Sequence, residues 1–221
     1  MASAPISMLN IDLHCHSNVS DGLLPPADVV ARAAANGVHA LALTDHDDVG
    51  GLAEAAQAAA TRGMAFIPGV EISVTWHGKT VHIVGLRIDP AHPELVAGLQ
   101  GIRNGRIERA RRMGADLLQS GIEGAYEGAY GYAANKQMVG RTHFARWLVD
   151  RGHAPDIRSA FRRFLTPGHP GYVEHEWTTL ENAVGWIRAS GGTAVIAHPG
   201  RYPFDDREQH RLLDAFRTDR K

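Results

Sequence analysis

Two histidines one residue apart, His14 and His16 in Asp12-Leu13-His14-Cys15-His16, are followed a short loop later by Asp21. On an extended strand, side chains at i and i+2 point to the same face, so the two imidazoles can converge on one ion while Leu13 and Cys15 face the packing side. Asp21 adds a hard oxygen donor. His-x-His by itself is often coincidence, and the case for chemistry rests on groups further along the chain.

Four further segments place ligand-type groups at successive strand ends or edges: Thr44-Asp45-His46-Asp47, Gly69-Val70-Glu71, His82 and His198. Each alone has an ordinary explanation. His46 could enter a helix, Asp45 or Asp47 could cap one, Glu71 could be a surface carboxylate, and His82 a satisfied strand histidine. Together they are hard to obtain by packing. Imidazole and carboxylate donors suit Zn, Mn or Fe, and His-rich sites sharing a carboxylate can hold two or three ions close together. Such clusters hydrolyse phosphoesters by acidifying water and offsetting phosphoryl charge.

Positioning these groups requires strands that end at a common rim. Leu9–Leu13 is expected as a first buried strand, followed by a helix from Pro25-Pro26 that Gly37 closes, and Ala40–Thr44 as a second strand. An alanine-rich helix over Gly51–Arg62 stops at Gly63. Ala65–Pro68 and Val70–Trp76 read as extended, with a turn at His77-Gly78-Lys79 into a strand over Val81–Ile88. Alternating strands and helices in this half indicate parallel βα units. From about Pro90 to Thr166 amphipathic helices dominate, interrupted by a Gly- and Tyr-rich stretch over Gly121–Ala133. Alternation resumes with a helix at Leu180–Ala189, the strand Thr193–Ala197 and a last helix over Asp206–Phe216. The core is therefore expected to be discontinuous, 9–100 with 167–221, around a helical unit at 101–166.

The 221 residues are 44% hydrophobic, enough for a real core, and 23 Lys+Arg against 24 Asp+Glu argue against a long nucleic-acid partner. The single cysteine, Cys15, excludes an internal disulfide and reads as a small packing residue. Met1–Ser7 reads as a disordered lead-in without signal-peptide character, and no apolar run approaches membrane-spanning length. A cytoplasmic protein without a membrane partner is expected.

The series DLHCHSNVSDG, LTDHD, PGVEIS, VHIVG and IAHPGR resembles the metal motifs of the PHP (polymerase and histidinol phosphatase) family of phosphoesterases. IRNGRIERARRMG, GRTHFARWL and FLTPGHPGYV resemble its nucleoside 3′,5′-bisphosphate phosphatase and 5′→3′ oligoribonuclease branch. The resemblance implies an α/β fold, a distorted (β/α)7 TIM-like barrel with a helical insertion. It implies His14, His16, Asp21, His46, Glu71, His82 and His198 as metal ligands, Glu71 in the bridging position, with Asp21, His46 and His198 serving catalysis. Two or three Mn ions are the implied cofactor, with Zn, Fe or Mg as alternatives. The family's late Asp-x-His pair has no counterpart among Asp205, Asp206, His210, Asp214 and Asp219, so a C-terminally incomplete barrel is expected.

Arg103, Arg106, Arg109 and Arg112 recur every three residues on one predicted helix. A solvated face is the ordinary reading of such a stripe. Over a metal mouth, guanidinium forks match phosphate oxygens, and Arg103 and Arg106 are expected to bind substrate. Arg141, Thr142 and His143 open another helix, where free amides favour an anion, and the resemblance points to substrate contact for them; the alternative is a Thr142 N-cap. Phe144, Trp147 and Leu148 read as insertion core, and Trp186 with Ile187 as the buried face of a late helix. The expected substrate is a small nucleotide or a short oligoribonucleotide. The other readings are a non-catalytic metal- or nucleotide-binding module, and a histidinol-phosphatase-like phosphomonoesterase.

Overall fold

A computed structural model describes residues 9–219. The expected lead-in over Met1–Ser7 lies outside them, as do the last two residues of the charged end. Five strands, β1 (Ile11–Cys15), β2 (Ala40–Leu43), β3 (Ala65–Trp76), β4 (Lys79–Leu86) and β5 (Thr193–Ile196), form one sheet in sequence order. It is a mixed sheet curled as a half-barrel. β1, β2 and β3 pair in parallel, and β3, β4 and β5 antiparallel. The parallel connections are helices α1 (Pro26–Ala35) and α2 (Leu52–Ala60).

Three expectations shift here. β1 runs two residues further than Leu9–Leu13, so His14 lies within the strand, with an irregularity between Asp12 and Cys15. It is not a buried strand: Ile11 and Leu13 are 51% and 38% exposed, because β1 is an edge with a single neighbour. The two extended segments from Ala65 are one continuous strand, whose first part pairs with β2 and whose second pairs with β4. His77 and Gly78 both take positive φ, 47° and 72°, the requirement of a two-residue type I′ hairpin, so the return strand already begins at Lys79.

Helix α3 (Pro93–Gln119) has 27 residues, roughly 40 Å at 1.5 Å per residue. Its first turns carry Leu95, Leu99 and Ile102 into the main core, where α7 (Leu180–Ala189) and α8 (Asp206–Asp219) also pack. Its later turns carry Ala110, Met113 and Leu117 into a second cluster with α4 (Ala125–Tyr132), α5 (Arg141–Asp150) and α6 (Ile157–Ala160). One helix therefore spans both cores.

The Gly- and Tyr-rich stretch contains a helix, α4. Gly128 lets it approach α5: a Cβ there would fall 2.0 Å from Trp147 Nε1, so close packing outweighs glycine's poor helix propensity. Phe144, Trp147 and Leu148 are buried in this second cluster, while Ile187 and the half-buried Trp186 pack against the main core.

Phe144 is fully buried at the centre of the helical cluster. Phe144→Ala is expected to lower the unfolding free energy by about 3–5 kcal/mol in urea denaturation. A loss below about 1 kcal/mol would mean that this cluster does not fold cooperatively with the sheet.

Candidate metal centre

Five imidazoles surround one carboxylate. Glu71 is 1% exposed. Its Oε2 lies 3.0 Å from His14 Nε2, 3.1 Å from His16 Nε2 and 3.4 Å from His46 Nδ1. Its Oε1 lies 3.2 Å from His82 Nδ1 and 3.0 Å from His198 Nε2. The rings form a closed circuit, His14–His16–His46–His82–His198 and back to His14, with neighbouring centroids 4.7–5.7 Å apart.

Backbone pairing builds this circuit. Beyond β2 the chain stays in register with β3: Glu71 N donates to Asp45 O and Asp47 N to Glu71 O, each at 3.0 Å, which seats His46 beside Glu71. Ser73 and His82 are cross-strand partners, and Glu71 shares the Ser73 face of β3. His198 follows β5 in a left-handed conformation, φ 31°, directly before Pro199, a strained geometry of the kind held at functional sites. Tyr202 clamps that turn, since its hydroxyl accepts from His82 N and donates to Ala197 O, both at 2.9 Å.

The electrostatics favour cations at this point. Burial alone would raise the Glu71 pKa, but the neighbouring imidazoles of His14, His16, His82 and His46 hold it far below the carboxylate range. Burial pushes His46 down to about 4 and also lowers His198, which leaves neutral rings with lone pairs to donate. His46 Nδ1 and His82 Nδ1 are buried and face Glu71 without making a hydrogen bond. Separations of about 3.0–3.4 Å are those of ligand atoms sharing an ion some 2.1 Å away. Among the described residues two donor groups could hold an ion, His14–Glu71–His198 and His16–His46–Glu71, and Glu71 belongs to both.

Asp21 stands at the mouth. It borders both a cavity of about 680 Å³ over the histidines and an adjoining one of about 230 Å³ under the helical cluster. It lies outside the two donor groups, and its Oδ2 accepts from Thr142 Oγ1 at 3.1 Å. Burial would raise its pKa, but His46 and His16 hold it below the ordinary value, as an anion.

The smaller cavity is electropositive. Arg106, Arg109 and Arg141 line it, and of these Arg106 is paired, with Asp47, through Nε at 2.8 Å and a second contact from Nη2. Burial and repulsion by Arg141 and Arg106 push Arg109 down to about 10, so it stays charged at neutral pH. Trp177 lies under the Arg106 and Arg109 guanidiniums, 4.6 and 5.5 Å from their carbons. The residue types gave no warning of Trp177 or Tyr202, and offered Asp47 as a ligand-type group or a helix cap rather than as the partner of Arg106, because each acts through contacts made only in the fold.

Other candidates have different surroundings. Arg103 borders neither cavity; its Nη1 donates to Asp47 O at 2.8 Å. Arg112 is exposed. Thr142 borders the smaller cavity but is not an N-cap, since Gly140 holds that place. His143 is 1% exposed and its Nδ1 accepts from Gly140 N at 3.1 Å, closing the first turn of α5. Asp45 is a loop organiser, accepting from Ser17 N, Ser17 Oγ and Ser20 Oγ at 2.6–2.7 Å. Cys15 donates to Ala42 O, and burial pushes its pKa up to about 12, which makes it an inert packing thiol.

A family model for the PHP domain matches residues 12–187. The chain belongs to the PHP family. It is 59% identical over 211 residues to a 3′,5′-nucleoside bisphosphate phosphatase of Chromobacterium violaceum, covering 96% of this chain and 74% of that one. It is 44% identical to a 5′-3′ exoribonuclease of Haemophilus influenzae, covering 94% and 75%. Among solved structures, a C. violaceum amidohydrolase with bound sulfate superposes with a TM-score of 0.93 at 58% identity, covering 95% and 74%. A protein of Bifidobacterium adolescentis, described as a metal-dependent phosphoesterase, superposes at 0.85 and 26%, covering 96% and 74%. This PHP chain is accordingly a metal-dependent hydrolase of the phosphoesterase class. No helix of the described residues is long and apolar enough to cross a membrane.

Burial and then Arg146 hold His143 down at about 4 against an ordinary 6.5. The unfolded chain therefore takes up a proton that the folded one refuses, and His143 stabilises the fold above pH 6.5 and loses that contribution as pH falls towards 4. Wild-type protein is expected to show a urea midpoint that falls between pH 7 and pH 4.5. His143→Gln, which keeps an acceptor and cannot protonate there, is expected to flatten the fall, and an unchanged slope would contradict this account.

Proposed function

We propose that the protein removes the 3′-phosphate of nucleoside 3′,5′-bisphosphates, giving a nucleoside 5′-monophosphate and phosphate, and trims short RNA from its 5′ end by breaking the same P–O3′ bond. The observation that carries this reading is a cleft with two poles. The Glu71 histidine circuit forms one and the Arg106, Arg109 and Arg141 guanidiniums the other, while Asp21, His46, Thr80, His82 and Arg141 border both cavities. A substrate with two phosphates a ribose apart suits such a site. The names of the bisphosphate phosphatase and exoribonuclease relatives support it.

In this reading His14, His16, His46, His82 and His198 hold two or three divalent ions with Glu71 shared between them, and Asp21 completes the set at the mouth. Manganese is the preferred ion, with Zn, Fe or Mg also suited to nitrogen and oxygen donors. Bound ions supply acidified water and a counter-charge for the phosphoryl oxygens. The chain's own residues do the rest. Arg106 and Arg141 orient the 5′-phosphate, Thr142 fixes the Asp21 carboxylate, and His46 and His198 orient the reacting phosphate from the opposite side. Arg103 and His143 act from behind, one on the Asp47 backbone and the other on the α5 turn. We read the half-barrel as part of a distorted (β/α)7 barrel. Residues 101–166 form a helical substrate-binding insertion in a core of 9–100 and 167–221, in a cytoplasmic enzyme.

The test is phosphate release from adenosine 3′,5′-bisphosphate with and without Mn²⁺, in wild type and in Arg106→Lys. Lysine keeps a charge opposite Asp47 and so avoids stranding a buried carboxylate, but it loses the guanidinium fork. Wild type should turn over only with metal. Arg106→Lys should raise KM for the bisphosphate about tenfold with little change in kcat, and leave adenosine 3′-monophosphate unaffected. Equal effects on both substrates would rule out a two-phosphate clamp.

A further inference from the structure

The two ends of the cleft differ. At the arginine pole it is walled by Met138, Gly140, Phe161 and Trp177. Past the histidine circuit it runs to Arg201, Tyr202 and Pro203, of which Arg201 and Pro203 are exposed. Arg201 sits on the turn after His198, where its backbone N donates to His198 O at 2.9 Å, and the Tyr202 hydroxyl ties the same turn to β4 through His82 N. Among the described residues the Arg201 guanidinium has no hydrogen-bond or ion-pair partner, in contrast to Arg103, Arg106 and Arg109. A free, exposed guanidinium on a braced turn is a ready partner for phosphate.

This feature gains meaning from the proposed substrate orientation, on which the inference rests. With the 5′-phosphate at the arginine pole and the 3′-phosphate at Glu71, a nucleoside bisphosphate is held at both its phosphates without Arg201. An oligoribonucleotide differs in that its scissile phosphorus also carries O5′ of the next nucleotide. Water adds to that phosphorus, the P–O3′ bond breaks, O3′ takes the proton, and the shortened RNA keeps the phosphate as its new 5′ end. The rest of the chain must leave by the open end, since the arginine pole is walled.

We propose that this open end is the binding site for the second nucleotide of an oligoribonucleotide, with the Arg201 guanidinium taking the phosphodiester on that nucleotide's 3′ side. Arg201 is thereby a specificity residue for RNA over bisphosphate, separate from the clamp that both substrates share.

The experiment compares wild type with Arg201→Ala on two substrates, adenosine 3′,5′-bisphosphate and a 5′-phosphorylated pentaadenylate. kcat/KM for the pentamer should fall about tenfold, the loss of one charge-assisted contact, while the bisphosphate stays within about twofold. The affinity of metal-free protein for a 3′-labelled pentamer, read by fluorescence anisotropy, should fall by a similar factor. Its log–log salt slope should become shallower by about 0.7, as for one phosphate contact on a single strand. Arg201→Lys should restore most of the affinity. Equal losses on both substrates, or unchanged pentamer binding and salt slope, would overturn the proposal. Failure of wild type to release phosphate from the bisphosphate would instead count against the underlying reading, while the binding arm would still decide the role of Arg201.

Discussion

A carboxylate at 1% exposure inside a ring of five imidazoles is the constraint around which this molecule is arranged. Burying a lone charge costs several kcal/mol after relaxation, so Glu71 persists there through its partners. Those partners come from four strands or strand ends, and each must arrive with its ring nitrogen near the same two oxygens. The continued β2–β3 pairing at Asp45–Asp47, the hairpin that faces His82 to Ser73, and the left-handed turn at His198 are the means. Burial outweighs the attraction of Glu71 at His46 and His198 and lowers the pKa of both rings. The neutral His46 and His198 rings beside an anion favour a cation.

The same backbone couples the two poles of the cleft. Ser73, two residues beyond Glu71 on β3, donates through its hydroxyl to Asp47 and accepts from Arg106, and Asp47 binds the Arg106 guanidinium. Asp47 holds a positive φ of 46°, a strained conformation for a non-glycine residue, beside His46. Trp177 then carries the Arg106 and Arg109 guanidiniums on its ring. The two poles of the cleft are therefore fixed to one strand and one loop, a rigid placement of the kind that catalysis by orientation demands. The helical cluster contributes through Arg141 and Thr142 at the start of α5, and α3 ties it to the sheet.

Much of this was legible in the residues. The parallel strands, the alanine-rich helix and the hairpin follow from periodicity and glycine placement, and His14, His16, His46, Glu71, His82 and His198 do converge. Strand edges were misjudged where pattern carries no information on neighbours: Ile11 and Leu13 look buried and lie on an edge strand. The glycines over 121–131 read as a break, yet Gly128 serves close contact between α4 and α5, a tertiary reason invisible to local propensity. Among the arginines, spacing marks a stripe but cannot rank its members. Arg106 and Arg109 border the cleft, Arg103 turns to the Asp47 carbonyl, and Arg112 stays in solvent. His143 is similar: residue type suggested a ligand contact, and the helix start took its nitrogen instead.

The measurement that bears most directly on this account is Mn²⁺ titration of metal-stripped protein by calorimetry, wild type against Glu71→Gln. Glutamine keeps the size of the side chain and removes the charge that both donor groups share. The account predicts more than one ion per wild-type chain, and a loss of at least tenfold in affinity together with fewer ions in Glu71→Gln. Equal stoichiometry and affinity in the two proteins, with both folded, would contradict the claim that this buried carboxylate organises the centre.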